Sequence, residues 1–217
     1  MGIINKGVNG PFRGKAGSVI GSGWKKIDYI KGRPRPYKNR NTPSEAQVLH
    51  RKKFTLLNKF LVPTEKMLNI GFSHFTSKST SHNAAFKHNF PHAFLLNEGG
   101  ELTLNYPALQ FSRGSLFSAG AEKVELLNNR IRISWNTKTY GLSGELDDEI
   151  HVLAYYENLD IWDTDEDVAL RYQGETYVEI DDDAKPGELI HIWLFFSDSE
   201  HKRVSPTTYL SITNHVN

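Results

Sequence analysis

Four histidines lie close together in the first half of the chain and could bind a metal ion; they are His74, His82, His88 and His92. Imidazole is the commonest metal ligand in proteins, so zinc or nickel would be the natural ion. Their spacings match no established ligand pattern, and no carboxylate lies among them. We therefore interpret this stretch as a His-rich loop, and the sequence predicts neither a metal site nor a cofactor.

Alternating aspartates in the second half resemble part of a calcium loop; they are Asp163, Asp165 and Asp167. A helix–loop–helix calcium site also needs glycine at its sixth position and glutamate at its twelfth. The chain has Val168 and Gly174 there, so that site is not predicted. A looser cation site with Asp160 or residues 181–183 is an alternative to an acidic loop that keeps a sheet edge soluble.

Motifs for covalent or phosphate chemistry are missing from the sequence. There is no Gly-x-Ser-x-Gly nucleophile motif, and the chain contains no cysteine. The segment 21–26 begins like a phosphate-binding loop but lacks the third glycine and a following helix. We therefore expect a protein that is not an enzyme.

The charge is strongly divided along the chain. Residues 1–120 carry 18 Lys and Arg against 5 Asp and Glu, whereas residues 121–217 carry 8 against 20. This division favours self-association, or contact with other particle proteins, through Tyr29, Arg33, Arg35, Arg51 and Lys52. One alternative is nucleic-acid binding by the basic arm over residues 31–53. Another is a contact between the two halves of one chain, or plain solvated faces.

The elements that position these residues are predicted from turn and helix signals. Glycines indicate two short strands, 16–20 and 24–30, joined by a hairpin turn at 21–23. A Pro- and Arg-rich linker follows, and then a helix over 43–62 with Thr42 as its N-cap and Glu45 completing a capping box. Beyond this helix we expect irregular structure as far as residue 120, with short strands at 101–105 and 108–112.

Residues 121–217 predict an acidic seven-stranded immunoglobulin-like β-sandwich, so the chain is mainly β with one or two helices. The strands are expected at 124–127, 130–135, 149–156, 168–172, 175–180, 189–196 and 207–213. The stretch from Tyr177 to Phe196 resembles the E–F corner of fibronectin type III domains, which implies a fold and no chemistry.

Aromatic residues of the predicted sandwich divide into core and surface candidates. Trp135, Tyr155 and Trp193 are expected in the core. Trp162, with Tyr155 and Tyr156 nearby, is the candidate patch for binding a glycan or a host protein. The predicted domains are therefore a basic region, 1–120, and a sandwich, 121–217.

The whole chain resembles an uncharacterised family of proteins found mainly in Bacteroidota. The matching residues are Gly10, Pro11, Phe12, Gly14, Lys15, Gly17, Val19, Gly21, Trp24, Lys25, Tyr29, Ile30, Thr42, Gln47, Arg51, Lys53, Phe54, Phe60, Leu61, Pro63, Gly71, Phe72, Tyr106, Pro107, Ser112, Arg113, Gly114, Trp135, Tyr155, Gly187, Ser205 and Tyr209. The resemblance implies no activity. The glycine-rich opening, basic linker and first helix are also similar to proteins from phage and prophage regions.

These observations together predict a non-enzymatic structural or assembly protein, with a phage-related virion or particle component as the specific hypothesis. No apolar run is long enough for a membrane span, and no signal peptide is recognisable, so no membrane partner is predicted. We expect synthesis in the cytoplasm and a final place there or in a virion or released particle. The alternatives are a glycan- or protein-binding module and a nucleic-acid-binding protein.

Overall fold

The computed structural model describes residues 2–4, 10–24, 27–34, 42–77, 79–97, 99–127, 130–164, 169–181 and 183–214. The chain forms two compact units, Met1–Glu45 and Ala46–Asn217. In the described ranges, no helix combines the length and the apolar character that crossing a membrane requires. The prediction of a mainly β protein with antiparallel sheets is confirmed.

The first unit is a four-stranded antiparallel sheet in the order β1-β2-β3-β4. Its strands are β1 (Gly2–Ile4), β2 (Phe12–Ala16), β3 (Val19–Trp24) and β4 (Ile27–Gly32). The predicted hairpin turn at 21–23 is wrong, because these residues lie inside β3. The turn between β2 and β3 lies instead at Gly17, whose φ of 57° belongs to the left-handed region that glycine adopts readily.

The glycines inside β3 allow β2 to pack closely against this strand; they do not form a turn. A Cβ atom on Gly21 would lie 2.1 Å from the carbonyl oxygen of Phe12, and one on Gly23 would lie 2.3 Å from the Arg13 guanidinium. Arg13 donates a hydrogen bond to the Gly23 carbonyl and forms an ion pair with Asp28 at 2.9 Å. Glycine in a strand therefore marks backbone packing here.

Three α-helices begin the second unit: α1 (Glu45–Leu61), α2 (Glu65–Gly71) and α3 (Ser81–Asn89). The predicted helix over 43–62 corresponds to α1, which begins two residues later than expected, so Thr42 does not adjoin it. Helix α3 lies in the stretch predicted to be irregular. Its first turn is capped by the Thr80 hydroxyl, which accepts a hydrogen bond from the Asn83 amide at 3.1 Å.

A two-stranded sheet follows the helices, formed by β5 (Phe94–Leu96) and β6 (Leu102–Leu104). Strand β6 confirms the prediction at 101–105, but the predicted strand at 108–112 is wrong. The backbone amides of this segment donate to side chains instead of to a neighbouring strand. Asn89 Oδ1 accepts from the Gln110 amide, and the Thr207 hydroxyl accepts from the amides of Phe111 and Ser112. These contacts replace the partner strand that a ladder would need.

The remaining strands form two further antiparallel sheets. A three-stranded sheet has the order β12-β8-β7, and a five-stranded sheet has the order β10-β9-β13-β14 with β11 paired to β9. The strands are β7 (Lys123–Leu127), β8 (Arg130–Ser134), β9 (Glu149–Tyr156), β10 (Ile161–Thr164), β11 (Ala169–Leu170), β12 (Glu175–Glu179), β13 (Leu189–Ser197) and β14 (Thr208–Thr213). The prediction of seven strands in this region missed β10.

The five-stranded sheet is buried on both faces, which places it between two cores. Along β13, Ile192 packs in a core shared with the three-stranded sheet, whereas Trp193 packs in a core shared with the helices. Trp135, Tyr155 and Trp193 are buried, as predicted. Because the helices share a core with this sheet, the compact units differ from the division predicted at 120/121.

Candidate functional site

An apolar groove of about 700 Å³ runs along α1 toward β6. Its aliphatic lining includes Val48 and Leu102. The charged residues of the lining are Arg51, Lys52, Lys59 and Glu101, so cations outnumber the one carboxylate. The groove exists because α1 turns its other face, which includes Leu57 and Leu61, into the core. A surface of this kind can bind a partner that is both apolar and anionic.

A smaller cavity of about 200 Å³ shares part of this lining and is polar at one end. There Lys59 Nζ lies 2.6 Å from Asp160 Oδ2, and the Tyr155 hydroxyl donates to Asp160 Oδ1 at 3.1 Å. The hydrogen bond from Lys59 lowers the pKa of Asp160. The carboxylate is therefore ionised at neutral pH and already has two donors.

Aromatic and imidazole groups beside this cavity are held in their neutral forms. Burial raises the pKa of Tyr106 to about 12, with the Glu157 carboxylate adding to the effect, and it raises the pKa of Tyr155 as well. The His191 ring lies 4.1 Å from that of Tyr106, and burial lowers its pKa. Its Nδ1 lies 2.7 Å from the Tyr209 hydroxyl. His191 Nε2 also lies 3.6 Å from Glu157 Oε2. This network offers hydrogen bonding and stacking around a neutral imidazole.

The predicted ligand patch does not form one surface. Trp162 lies directly opposite Tyr155 across β10 and β9, and its ring centroid is 4.7 Å from that of Phe60. Tyr156 points to the other face of the sheet, where it is fully buried and donates to the Glu179 carbonyl. The grouping of these three residues is corrected for a geometric reason: consecutive residues of a strand face opposite sides.

The five predicted contact residues divide between the two units. Tyr29 is exposed on β4, and Arg33 follows that strand, its amide donating to the Ser18 carbonyl. Arg51 and Lys52 line the groove, and Arg35 lies outside the described residues. Sequence reasoning did not include Lys59 at the groove, although its spacing of seven and eight residues from Lys52 and Arg51 on one helix could have indicated it.

Two of the four clustered histidines contact amide side chains. His82 Nε2 lies 3.0 Å from the amide oxygen of Asn58, and His88 Nε2 lies 2.7 Å from that of Gln110. The His88 and His92 rings meet edge to face at 5.7 Å, and burial, with His88 nearby, lowers the pKa of His92. These contacts are consistent with structural histidines.

The predicted acidic loop is only partly within the described residues. Asp163 lies in β10, whereas Asp165, Asp167 and Asp182 lie outside the described part of the chain. Asp160 is the partner of Lys59. The looser cation site therefore stays a prediction.

A different group of possible metal ligands comes together near one end of β9. Glu149, His151 and His201 each offer a ligand atom, and these atoms lie within 4.8 Å of one another. His151 is buried, and burial lowers its pKa to about 4. The signal in the sequence was the spacing of Glu149 and His151, because residues two apart on a strand share a face. Nothing in the pattern linked them to His201.

The described fold and sites define a β-rich protein with a helical layer and an exposed, basic N-terminal sheet. Over residues 11–211 the chain matches the family of unknown function DUF6266, and it belongs to that family. No curated protein and no solved structure matches the chain.

Proposed function

We propose that the protein is a non-enzymatic assembly protein whose copies associate through the N-terminal sheet. The observation that carries this proposal is the exposure of large hydrophobic side chains on that sheet; they are Ile3, Trp24, Ile27, Tyr29 and Ile30. Among the described residues of the first unit, no hydrophobic side chain is buried. A sheet of this size needs cover on at least one face to be stable.

The register of β3 and β4 places Trp24, Ile27 and Tyr29 on one face of the sheet and Ile30 on the other. Trp24 pairs with Ile27 across the two strands, and Tyr29 lies two residues further along β4 on the same face. Ile27 is 61% exposed and Tyr29 is 44% exposed. Aromatic and aliphatic side chains grouped in this way are typical of the centre of a protein interface.

Charge indicates that the partner is a second copy of the chain. Residues 1–45 carry 10 Lys and Arg against 2 Asp and Glu, whereas residues 121–217 carry 8 against 20. The basic sheet of one copy is thus complementary to the acidic sandwich of the next. A contact between two different surfaces of identical copies produces rings if it closes and filaments if it does not. We therefore place the protein in a particle, with a phage-related virion as the specific form of the proposal.

Light scattering at increasing salt tests the proposal. We expect the wild type to form a large species at low ionic strength and to dissociate as salt screens the charges, because the screening length falls to about 8 Å near physiological salt and to about 3 Å at 1 M. The double variant Ile27→Ala/Tyr29→Ala is expected to stay monomeric. Val62→Ala removes an exposed aliphatic side chain of the helical layer, outside both proposed contact surfaces, and serves as the control.

Two results would contradict the proposal. One is a wild type that is monomeric at low salt and high concentration. In that case negative-stain images of the wild type would show no particle. The other is a double variant that assembles as well as the Val62→Ala control.

The groove along α1 supports a second candidate, a module that binds an acidic amphipathic protein segment. Its apolar lining, with the cations Arg51 and Lys52, matches a segment that alternates aliphatic and acidic residues, while Lys59 is already paired with Asp160. Fluorescence polarisation with a labelled Leu/Glu peptide tests this function. We expect the double variant Arg51→Glu/Lys52→Glu to bind about 10-fold or more weakly than wild type, since two attractive charges become repulsive. Equal binding would reject the groove as the site. The double variant Lys138→Glu/Lys185→Glu changes the net charge by the same amount outside the groove and is the control.

A further inference from the structure

We propose that Glu149, His151 and His201 form a binding site for a divalent transition-metal ion of the zinc type. Two imidazoles and one carboxylate supply three of the four ligands that zinc usually takes, and the fourth position would hold water. Nitrogen ligands favour zinc and its neighbours over magnesium and calcium, which prefer all-oxygen sites. The inference is independent of the assembly proposal, because it concerns another part of the molecule.

Strand geometry places two of the ligands together. Glu149 and His151 are two residues apart on β9 and share the face of the sheet that packs toward the helices. The neighbouring strand β13 sets Ser197 opposite Glu149 and Phe195 opposite His151. The His151 ring packs 4.9 Å from the Phe195 ring, so its plane is fixed by core packing.

A hydroxyl orients the buried imidazole. Ser197 is fully buried, and its Oγ lies 2.8 Å from His151 Nε2. This contact engages Nε2, so the proposal requires Nδ1 as the ligand atom of His151. Metal-bound histidines are commonly oriented by a hydrogen bond of this kind to the nitrogen that does not touch the ion.

The turn after β13 brings in the third ligand. His201 has a φ of 53°, a conformation that is uncommon for residues other than glycine and costs free energy. Asp198 holds the turn, because its Oδ1 accepts hydrogen bonds from the amides of Lys202 and Arg203. Ser73, from the helical layer, donates to the His201 carbonyl at 3.3 Å. The backbone is thus fixed in the conformation that directs His201 to the cluster.

The ligand atoms of the three residues lie within 4.8 Å of one another, and an ion would adjust these separations. Two ligand atoms of a tetrahedral zinc ion with bonds of about 2.0–2.1 Å lie about 3.3 Å apart. His201 Nε2 and Glu149 Oε2, which are 2.7 Å apart, would separate by about 0.6 Å, whereas ligand atoms further apart than about 3.3 Å would move together. The His201 side chain is 41% exposed, which allows that movement and leaves an entry path for the ion.

Isothermal titration of chelator-treated protein with zinc tests the proposal. We expect one zinc ion per chain and a higher melting temperature in zinc than in chelator. His201→Asn removes the imidazole, and asparagine tolerates the left-handed backbone conformation, so the fold should persist. Since losing an outer partner of a metal ligand already weakens binding about 10–100-fold, losing His201 should cost at least about 100-fold in affinity.

Two further variants separate metal binding from a structural ion pair. Glu149→Gln keeps the size of the side chain but should also abolish the zinc-dependent rise in melting temperature. His82→Gln removes a histidine outside the cluster and should bind zinc as the wild type does. Anomalous diffraction at the zinc edge should place the ion among the three side chains. The proposal is overturned if wild type and His201→Asn bind zinc equally, or if the wild type takes up none.

Discussion

The N-terminal sheet and the five-stranded sheet are built from similar residues but have opposite surroundings. Both contain isoleucine and aromatic side chains, yet the first exposes Ile27 and Tyr29 while the second buries Ile192 and Trp193 completely. The difference lies in what covers each sheet, because the five-stranded sheet is packed between two cores. Hydrophobic strands therefore predict a sheet, but only the neighbouring layers decide whether its apolar residues stabilise the fold or are available to a partner.

Matched isoleucine substitutions give the largest expected contrast between the two sheets. Ile192→Ala should lower the free energy of unfolding by about 2–5 kcal/mol, because it removes buried surface and leaves a cavity. Ile27→Ala should change it by less than about 0.5 kcal/mol in the monomer, since the side chain is already exposed. Urea denaturation followed by tryptophan fluorescence measures both values. Similar losses in the two variants would show that the N-terminal sheet is covered in the monomer.

Two Arg–Asp ion pairs also differ in burial, although their nitrogen–oxygen distances are similar: 2.9 Å for Arg13–Asp28 and 3.0 Å for Arg171–Asp148. Arg171 and Asp148 are almost fully buried, and Arg171 also donates to the Phe117 carbonyl and lies over the Phe196 ring. Burial raises the pKa of Asp148, with the Glu145 amide and Arg171 acting against it. The pair Arg13–Asp28 is solvent-exposed at both side chains.

Neutralising one member of each pair should therefore have unequal effects. Asp148→Asn leaves the Arg171 charge buried without its counter-ion and should cost about 3 kcal/mol of unfolding free energy. Asp28→Asn should cost about 0–1 kcal/mol, because water screens the exposed pair. Thermal unfolding of the two variants at one pH and salt concentration provides the comparison. A larger loss in Asp28→Asn would contradict the assignment of burial.

The sequence predicted elements whose signals are local and missed those that depend on distant partners. Helix α1 and the hairpin of β7 and β8 were predicted because periodicity and turn residues lie next to each other in the chain. The turn at 21–23 was misplaced because glycine serves both turns and close packing, and only the position of Phe12 distinguishes the two roles at Gly21. Helix α3 was missed because its polar residues hide the few buried positions, such as Ala85.

Candidate site residues were likewise predicted where the signal was local in the sequence and missed where it depended on distant residues. Arg51 and Lys52 were predicted as subunit or polyanion contacts from the basic segment 31–53; they line the groove, and their role as contacts stays a prediction. The grouping of Tyr156 with Tyr155 failed because adjacency in a strand separates side chains. The cluster of Glu149, His151 and His201 was not predicted, since the turn that brings in His201 depends on Asp198 and Ser73 from separate parts of the chain.

Alkaline titration gives the smallest expected effect, and it concerns tyrosines of the buried sheet. Burial raises the pKa of Tyr156 to about 12 and also raises that of Tyr155, against an ordinary value of about 10. A folded-state pKa above the unfolded value means that stability is fully present below about pH 10 and is lost as pH rises toward 12. Unfolded chains ionise first in that range, which favours unfolding.

Urea midpoints between pH 9 and pH 12 measure this loss, with tyrosinate absorbance recorded in parallel. Tyr156→Phe removes one late-titrating hydroxyl and should make the fall in the midpoint less steep, although losing its bond to the Glu179 carbonyl lowers the starting stability slightly. Tyr172→Phe removes the hydroxyl of an exposed tyrosine and is measured in parallel as the control for the loss of one phenol. An identical pH dependence in wild type and Tyr156→Phe would show that Tyr156 ionises in the folded chain as it does in the unfolded one, which would contradict its place in the core between the two sheets.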